Sequence, residues 1–285
     1  MYYYLYNFIL KTDVIFNMLI ECPEPVRNGG NIIDLIVNDA VPPNPDFTLP
    51  FKEDIKYFLF PSKNKIYVKT SNIQFLYSSL FNIPMSVFAL FKKKVIVHCN
   101  AVEYKNSLYC FSAKKGVGKT TLALFLNEYC DIFSDDCVAF DSKDDNNSIF
   151  GFRSSQKIKL CRDTYDVVIN DCHYNDYYDE LSGKATLTLD IHQYKEMPIR
   201  KLFFLTRGNT NQFSCKEINN ILTKKVLLIQ SIVGKEYIPN ELINTFVLTE
   251  LFTDIISRIP FYIVKIPHIK SYDSQIEAFW RDVID

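Results

Sequence analysis

Apolar and polar positions along the chain fall into two textures, and the change comes near residue 70. Before it, aromatic and β-branched residues form short runs: Tyr2 to Ile9, Asp13 to Ile20, Ile32 to Val37, Lys56 to Phe60 and Lys65 to Lys69. Such side chains pack well on a pleated surface, so each run predicts a strand. The last two flank Pro61-Ser62-Lys63-Asn64 and predict a hairpin, while Val41-Pro42-Pro43-Asn44-Pro45-Asp46 predicts a linker or hinge. Beyond residue 70, Asn72 to Lys92 carries a helical pattern with a break or restart at Pro84. Lys94 to His98, Leu108 to Ser112, Ile132-Phe133, Cys137 to Phe140, Lys201 to Thr206 and Phe261 to Ile266 are apolar runs with the length of buried strands. Thr120 to Tyr129, Lys216 to Gln230, Asn240 to Arg258 and Ser271 to Val283 predict helices, and Asp141 to Ser148 a charged loop. Alternating strands and helices predict an α/β domain. The chain thus divides into a β-rich N-terminal lobe, residues 1–70, and a larger α/β domain, residues 71–285.

Composition narrows the functional classes. A formal net charge of -1 over 285 residues gives no global attraction to nucleic acid or to an anionic membrane, and neither is expected as a partner. Lys92-Lys93-Lys94 is too short to form a basic patch. The aromatic opening, Met1 to Cys22, is broken by Asn7, Lys11, Asp13 and Asn17 before it reaches the roughly 18 apolar residues of a membrane span. It also lacks the basic start and small-residue cleavage site of a signal peptide, so a cytoplasmic location is expected. The eight cysteines form no Cys-x-x-Cys pair, which argues against a zinc knuckle and predicts reduced thiols packed as small hydrophobes.

One segment carries a chemistry. Ala113-Lys114-Lys115-Gly116-Val117-Gly118-Lys119-Thr120 matches the phosphate-loop pattern without a gap. A loop that wraps a phosphate with successive backbone N–H groups needs glycine where a side chain would block the approach, here Gly116 and Gly118. Lys119 then reaches the β- and γ-phosphates, Thr120 offers a hydroxyl to magnesium, and the helix behind aims its positive end at the anion. The expected ligands are ATP and Mg2+, with residues 113–120 and Thr121 as the nucleotide-binding segment.

Asp135 and Asp136 follow the predicted strand Ile132-Phe133. Two adjacent acids there can hold magnesium and accept a proton from a hydroxyl attacking the γ-phosphate. His98 closes the strand Val95-Ile96-Val97, where a histidine is either a hydrogen-bonded structural residue or a neighbour of the reacting group.

Strand-His98, Asn100-Ala101-Val102, a short hairpin, the loop, a helix opening Thr121-Leu122-Ala123, and Ser134-Asp135-Asp136-Cys137-Val138-Ala139 together resemble the catalytic domain of HPr kinase and its serine-kinase relatives. Those share the phosphoenolpyruvate carboxykinase-like fold. The close match covers about 45 residues, with Arg200 to Leu205 and Arg258 to Tyr262 similar to later family elements. Tyr2 to Pro23 resembles the opening of short, peptide-modifying members of the lasso-peptide kinase type. The resemblance implies an α/β P-loop kinase domain behind a mostly β lobe. It also implies Lys119 as phosphate ligand, Thr120 and Asp135 at the metal, Asp136 as general base, and His98 beside the transferring phosphoryl.

Departures from that pattern matter. Ala113 stands for the usual first glycine and Lys115 for a serine, which makes the loop more basic. Where bifunctional kinase/phosphorylases carry Leu-Glu-x-Arg-Gly, this chain reads Ile149-Phe150-Gly151-Phe152-Arg153-Ser154, which tells against phosphorolysis and against HPr as substrate. Arg153 and Lys184 are candidate phosphate contacts, and Asn175 to Glu180 is a solvated loop or a substrate lid. The expected activity is γ-phosphoryl transfer to a hydroxyl, most simply a serine of a peptide or protein partner. A free-serine or other small-molecule kinase and a non-catalytic ATP-binding regulatory module are the alternatives, and homo-oligomerisation is left open.

Overall fold

A computed structural model describes residues 1–17, 19–23, 31–51, 55–73, 76, 82–142, 148–155, 157–161, 177–179, 184–188, 195–208, 211–267 and 275–284. The first seven strands are β1 (Tyr2–Leu5), β2 (Phe8–Lys11), β3 (Ile20–Glu21), β4 (Ile32–Val37), β5 (Phe47–Phe51), β6 (Ile55–Phe60) and β7 (Lys65–Thr70). They form one mixed sheet in the order β3-β1-β2-β4-β7-β6-β5. The expected single strand over 2–9 is a hairpin instead, because the chain turns at Tyr6, whose φ is +56°. The expected strand over 13–20 shrinks to β3: Phe16 and Leu19 are buried from a loop, so their apolar character reflects packing rather than strand pairing. The proline-rich stretch 41–46 is no inter-domain linker, since it joins β4 to β5 and β5 pairs with β6 in the same sheet.

The next elements are α1 (Ile83–Phe91), β8 (Val95–Val97), β9 (Cys99–Tyr104), β10 (Ser107–Ser112), α2 (Lys119–Leu126), β11 (Asp131–Ser134), β12 (Val138–Ser142) and β13 (Ile149–Arg153). Then come β14 (Lys157–Cys161), β15 (Tyr177–Asp179), β16 (Lys184–Thr188), β17 (Glu196–Arg207) and β18 (Ser214–Glu217). The chain closes with α3 (Ile221–Gln230), α4 (Asn240–Val247), α5 (Glu250–Arg258), β19 (Phe261–Ile266) and α6 (Ile276–Phe279), which runs into a π turn over Trp280–Ile284. A second sheet has the order β11-β9-β10-β17-β13-β12-β8, with β19 parallel to β17 and β18 antiparallel to β19. Strands β14, β16 and β15 form a small antiparallel sheet, in that order.

Caps explain where the predicted helices differ. The expected helix over 216–230 starts at Ile221, because the Asn220 side chain accepts the Thr223 N–H at 2.9 Å and the residues before it are the edge strand β18. The expected helix over 240–258 is two, α4 and α5, because Thr249 accepts the Phe252 N–H at 3.2 Å and opens a second helix. The restart at Pro84 falls in the first turn of α1, where a missing N–H costs nothing. Of the expected closing helix over 271–283, residues 271–274 lie outside those described.

Alternation along the central strands gives the second sheet two apolar faces. Leu108 and Cys110 of β10 and Leu202 and Phe204 of β17 face a large core that also takes in Tyr3, Phe8, Leu35, Ile66 and Phe88. This core runs without a break from the first sheet through α1 to α3–α5. Tyr109, Phe111, Phe203 and Leu205 face the other way, into a second cluster with Leu122 and Leu126 of α2 and Phe279 and Trp280 of the C-terminal turn. There Trp280 meets Tyr104 edge-on at 4.5 Å and stacks on Tyr129 at 5.6 Å. No helix among the described residues is long and apolar enough to cross a membrane.

Candidate active site

Strand directions bring the candidate residues together. β9 is antiparallel to both β10 and β11, so the start of β9 lies at the same sheet edge as the ends of the other two. Cys99 pairs with Ser112, and Ala101 with Ser134. His98 and Asn100, the 113–118 loop and Asp135-Asp136 therefore converge although up to 38 residues separate them.

The loop leaves β10 and enters α2 directly. Gly116 and Gly118 have φ of +82° and +120°, values that L side chains rarely adopt, and an added Cβ on Gly116 would meet no atom within 4 Å. Helix α2 opens at Gly118, which supplies no side-chain cap to its first turn. Lys119 is 8% exposed and its Nζ donates to the Ala113 carbonyl at 3.0 Å. Burial lowers the Lys119 ammonium pKa, opposed by the charges of Asp136 and Asp135. Thr121 is buried, whereas Lys114, Lys115 and Gly116 are exposed. Arg207, at the end of β17, donates to the Gly116 carbonyl at 3.1 Å and ties the loop tip to the sheet.

The two acids take different environments. Asp135 is 5% exposed and accepts from Asn100 Nδ2 at 2.6 Å, from Thr120 Oγ1 at 3.0 Å and from the Lys159 backbone N–H at 2.8 Å. Asp136 occupies a strained turn: its φ is +73°, and the Cys137 N–H bonds across it to the Asp135 carbonyl at 2.9 Å. Such backbone costs on the order of 1–3 kcal/mol and persists only where surrounding contacts impose it. Here the Asp136 N–H donates to Asn100 Oδ1 at 3.3 Å, and its Oδ1 lies 3.1 Å from His98 Nε2. Burial acts to raise the Asp136 carboxyl, but the His98 hydrogen bond and charge, with Lys159 and Lys119, outweigh it and hold the carboxyl below the usual range. Its side chain is still 46% exposed, so water screens part of those charges, and the group is ionised at neutral pH.

His98 is fixed through its backbone. Its N–H donates to the Ser231 carbonyl at 2.7 Å, and its carbonyl accepts from Ser112 Oγ at 2.9 Å. Ser112 also bonds Ser231 Oγ at 2.9 Å. Sequence reading gave no role to Ser112, Ser231, Lys159, Arg207 or Asn100. Asn100 had a signal, a polar residue 1% exposed between buried Cys99 and Ala101, while the others are joined by contacts no local pattern reports. Arg153 does not lie on the loop: it is 5% exposed, with its guanidinium 4.7 Å from the Phe133 ring centroid. Lys184 opens β16; within 175–180 only β15 is described. Among the described residues, no three His, Cys, Asp or Glu side chains gather as a metal cage.

No family model and no curated protein matches the sequence. Among solved structures, the HPr(Ser) kinase/phosphatase from Coxiella burnetii is similar over 66% of this chain and 94% of its own, at 10% identity and a TM-score of 0.33. A likeness at that level decides neither fold nor function.

Proposed function

We propose that this chain is an ATP-dependent phosphotransferase that moves the γ-phosphoryl group to a hydroxyl, with a serine of a peptide or protein as the acceptor. The observation that supports it is a continuous hydrogen-bonded path from the phosphate loop, Thr120–Asp135–Asn100–Asp136–His98. Nucleotide binding alone has no use for a second, partly exposed acid held in a strained turn.

The loop N–H groups and the uncapped start of α2 receive the phosphates, and Lys119 exchanges the Ala113 carbonyl for a phosphate oxygen. Thr120 Oγ1 and Asp135 are hard oxygen donors that suit magnesium, an ion held by few protein oxygens together with substrate phosphates. When bound, magnesium draws negative charge from the phosphoryl oxygens. Asn100 keeps Asp135 and Asp136 in register. Asp136 accepts the hydroxyl proton, and His98 holds its carboxylate in place. The incoming triphosphate charge raises the proton affinity of Asp136 from its low resting value toward the working range.

Incubation with γ-labelled ATP, magnesium and serine-containing peptides, read by mass spectrometry, should show an added phosphate. Lys119→Ala should weaken ATP binding by about 2–4 kcal/mol or stop turnover. Labelling of free serine or another small alcohol, but of no peptide, would move the acceptor class. ATP binding without transfer to any hydroxyl would make the chain a nucleotide-binding module.

A further inference from the structure

Lys159 belongs to neither the loop nor the acid pair, yet the fold delivers it to both. β14 alternates: Ile158 and Leu160 are 2% and 0% exposed, and the strand packs on α2. Lys159, between them, projects from the opposite face and remains partly exposed. Its backbone N–H is fixed on Asp135 Oδ2 at 2.8 Å, and that same carboxylate holds Thr120 Oγ1 at 3.0 Å. The stem of Lys159 thus starts within one carboxylate of the loop threonine. Its ammonium is also among the charges that act on the Asp136 carboxylate. Among the described residues this ammonium has no ion-pair partner. A half-buried cation beside two acids is electrostatically useful when a further anion enters between them.

We propose that Lys159 is a second phosphoryl-binding cation, which grips the transferring γ-phosphoryl group from the face opposite Lys119. The proposal rests on the kinase reading above and assigns it a residue. Lys119 approaches from the loop, and Lys159 from the small β14–β16–β15 sheet, so the group in transfer lies between two positive charges. Charge that spreads over its equatorial oxygens during transfer is stabilised by both. A cation on the γ-group discriminates ATP from ADP, whereas one that only shapes the site does not.

The test is nucleotide affinity by calorimetry, ATP against ADP, together with steady-state transfer. Lys159→Met keeps the apolar stem, the strand and the N–H on Asp135 and removes only the ammonium. It should weaken ATP about tenfold, leave ADP within twofold and lower kcat about 100-fold, with partial recovery in Lys159→Arg. Equal weakening of ATP and ADP, or parental affinity and rate for both, would overturn the assignment. The two failures are distinguishable: a parent that binds ATP and transfers phosphate, with an indifferent Lys159→Met, sinks this inference alone. A parent that does not transfer sinks the kinase reading with it.

Discussion

Asp136 combines a positive φ, a charge partner and access to solvent, and each has a separate consequence. Asp136→Asn preserves size and keeps the N–H to Asn100, so ATP should bind within about twofold of the parent. The amide cannot accept a proton, so transfer should fall by about 10²–10⁴, measured with the same labelled ATP. A parental rate would move the base to Asp135 or His98. Asn100 works differently, as a buried joint whose amide serves both acids. Asn100→Leu fills similar space but leaves the Asp136 N–H without its acceptor and takes from Asp135 Oδ1 one of its two donors, the other being Thr120. A loss of about 1–3 kcal/mol in urea unfolding is expected, along with slower transfer. At this scale the sequence was most legible in local layout: a strand, a glycine-bearing loop and a helix in succession, and two adjacent acids at the end of a strand. It was least legible where a role is assigned from a distance: Ser231 is 119 residues from the Ser112 it binds.

Among elements, strands buried on both faces were read well because such burial writes continuous apolar runs, as in β8 and β10. Boundaries failed where one polar residue decides them. Asn220 and Thr249 each start a helix inside a stretch whose periodicity runs past them. The aromatic opening failed for a related reason, since Tyr6 reverses the chain without glycine or proline to announce it. β13 shows how tightly the second sheet is filled. A Cβ on Gly151 would stand 2.5 Å from Leu108 Cδ1 and 3.1 Å from Val138 Cγ1. Leu108 is wholly buried and has little room to retreat. Gly151→Ala should therefore destabilise the fold by about 1–3 kcal/mol, seen as a lower urea midpoint with unchanged slope.

For the whole molecule, the boundary drawn at residue 70 from texture does not interrupt the core. The Tyr6 N–H donates to the Arg153 carbonyl at 3.1 Å, and Asp141 of β12 holds both Asn7 and Lys94. We therefore expect one cooperative unfolding transition for the full chain, and an insoluble product when residues 1–70 are deleted. Two separate transitions, or a soluble 71–285 fragment with native circular dichroism, would count against a shared core. The trio of Tyr104, Tyr129 and Trp280 supplies an optical handle for that experiment. Trp280 is the sole tryptophan beside eighteen tyrosines, so excitation at the red edge lights one spot, packed on the face of the second sheet that also carries α2. Its emission should be blue in the native chain, and its reddening in urea should coincide with the loss of far-ultraviolet ellipticity, to which the first sheet contributes although its buried residues belong to the other cluster.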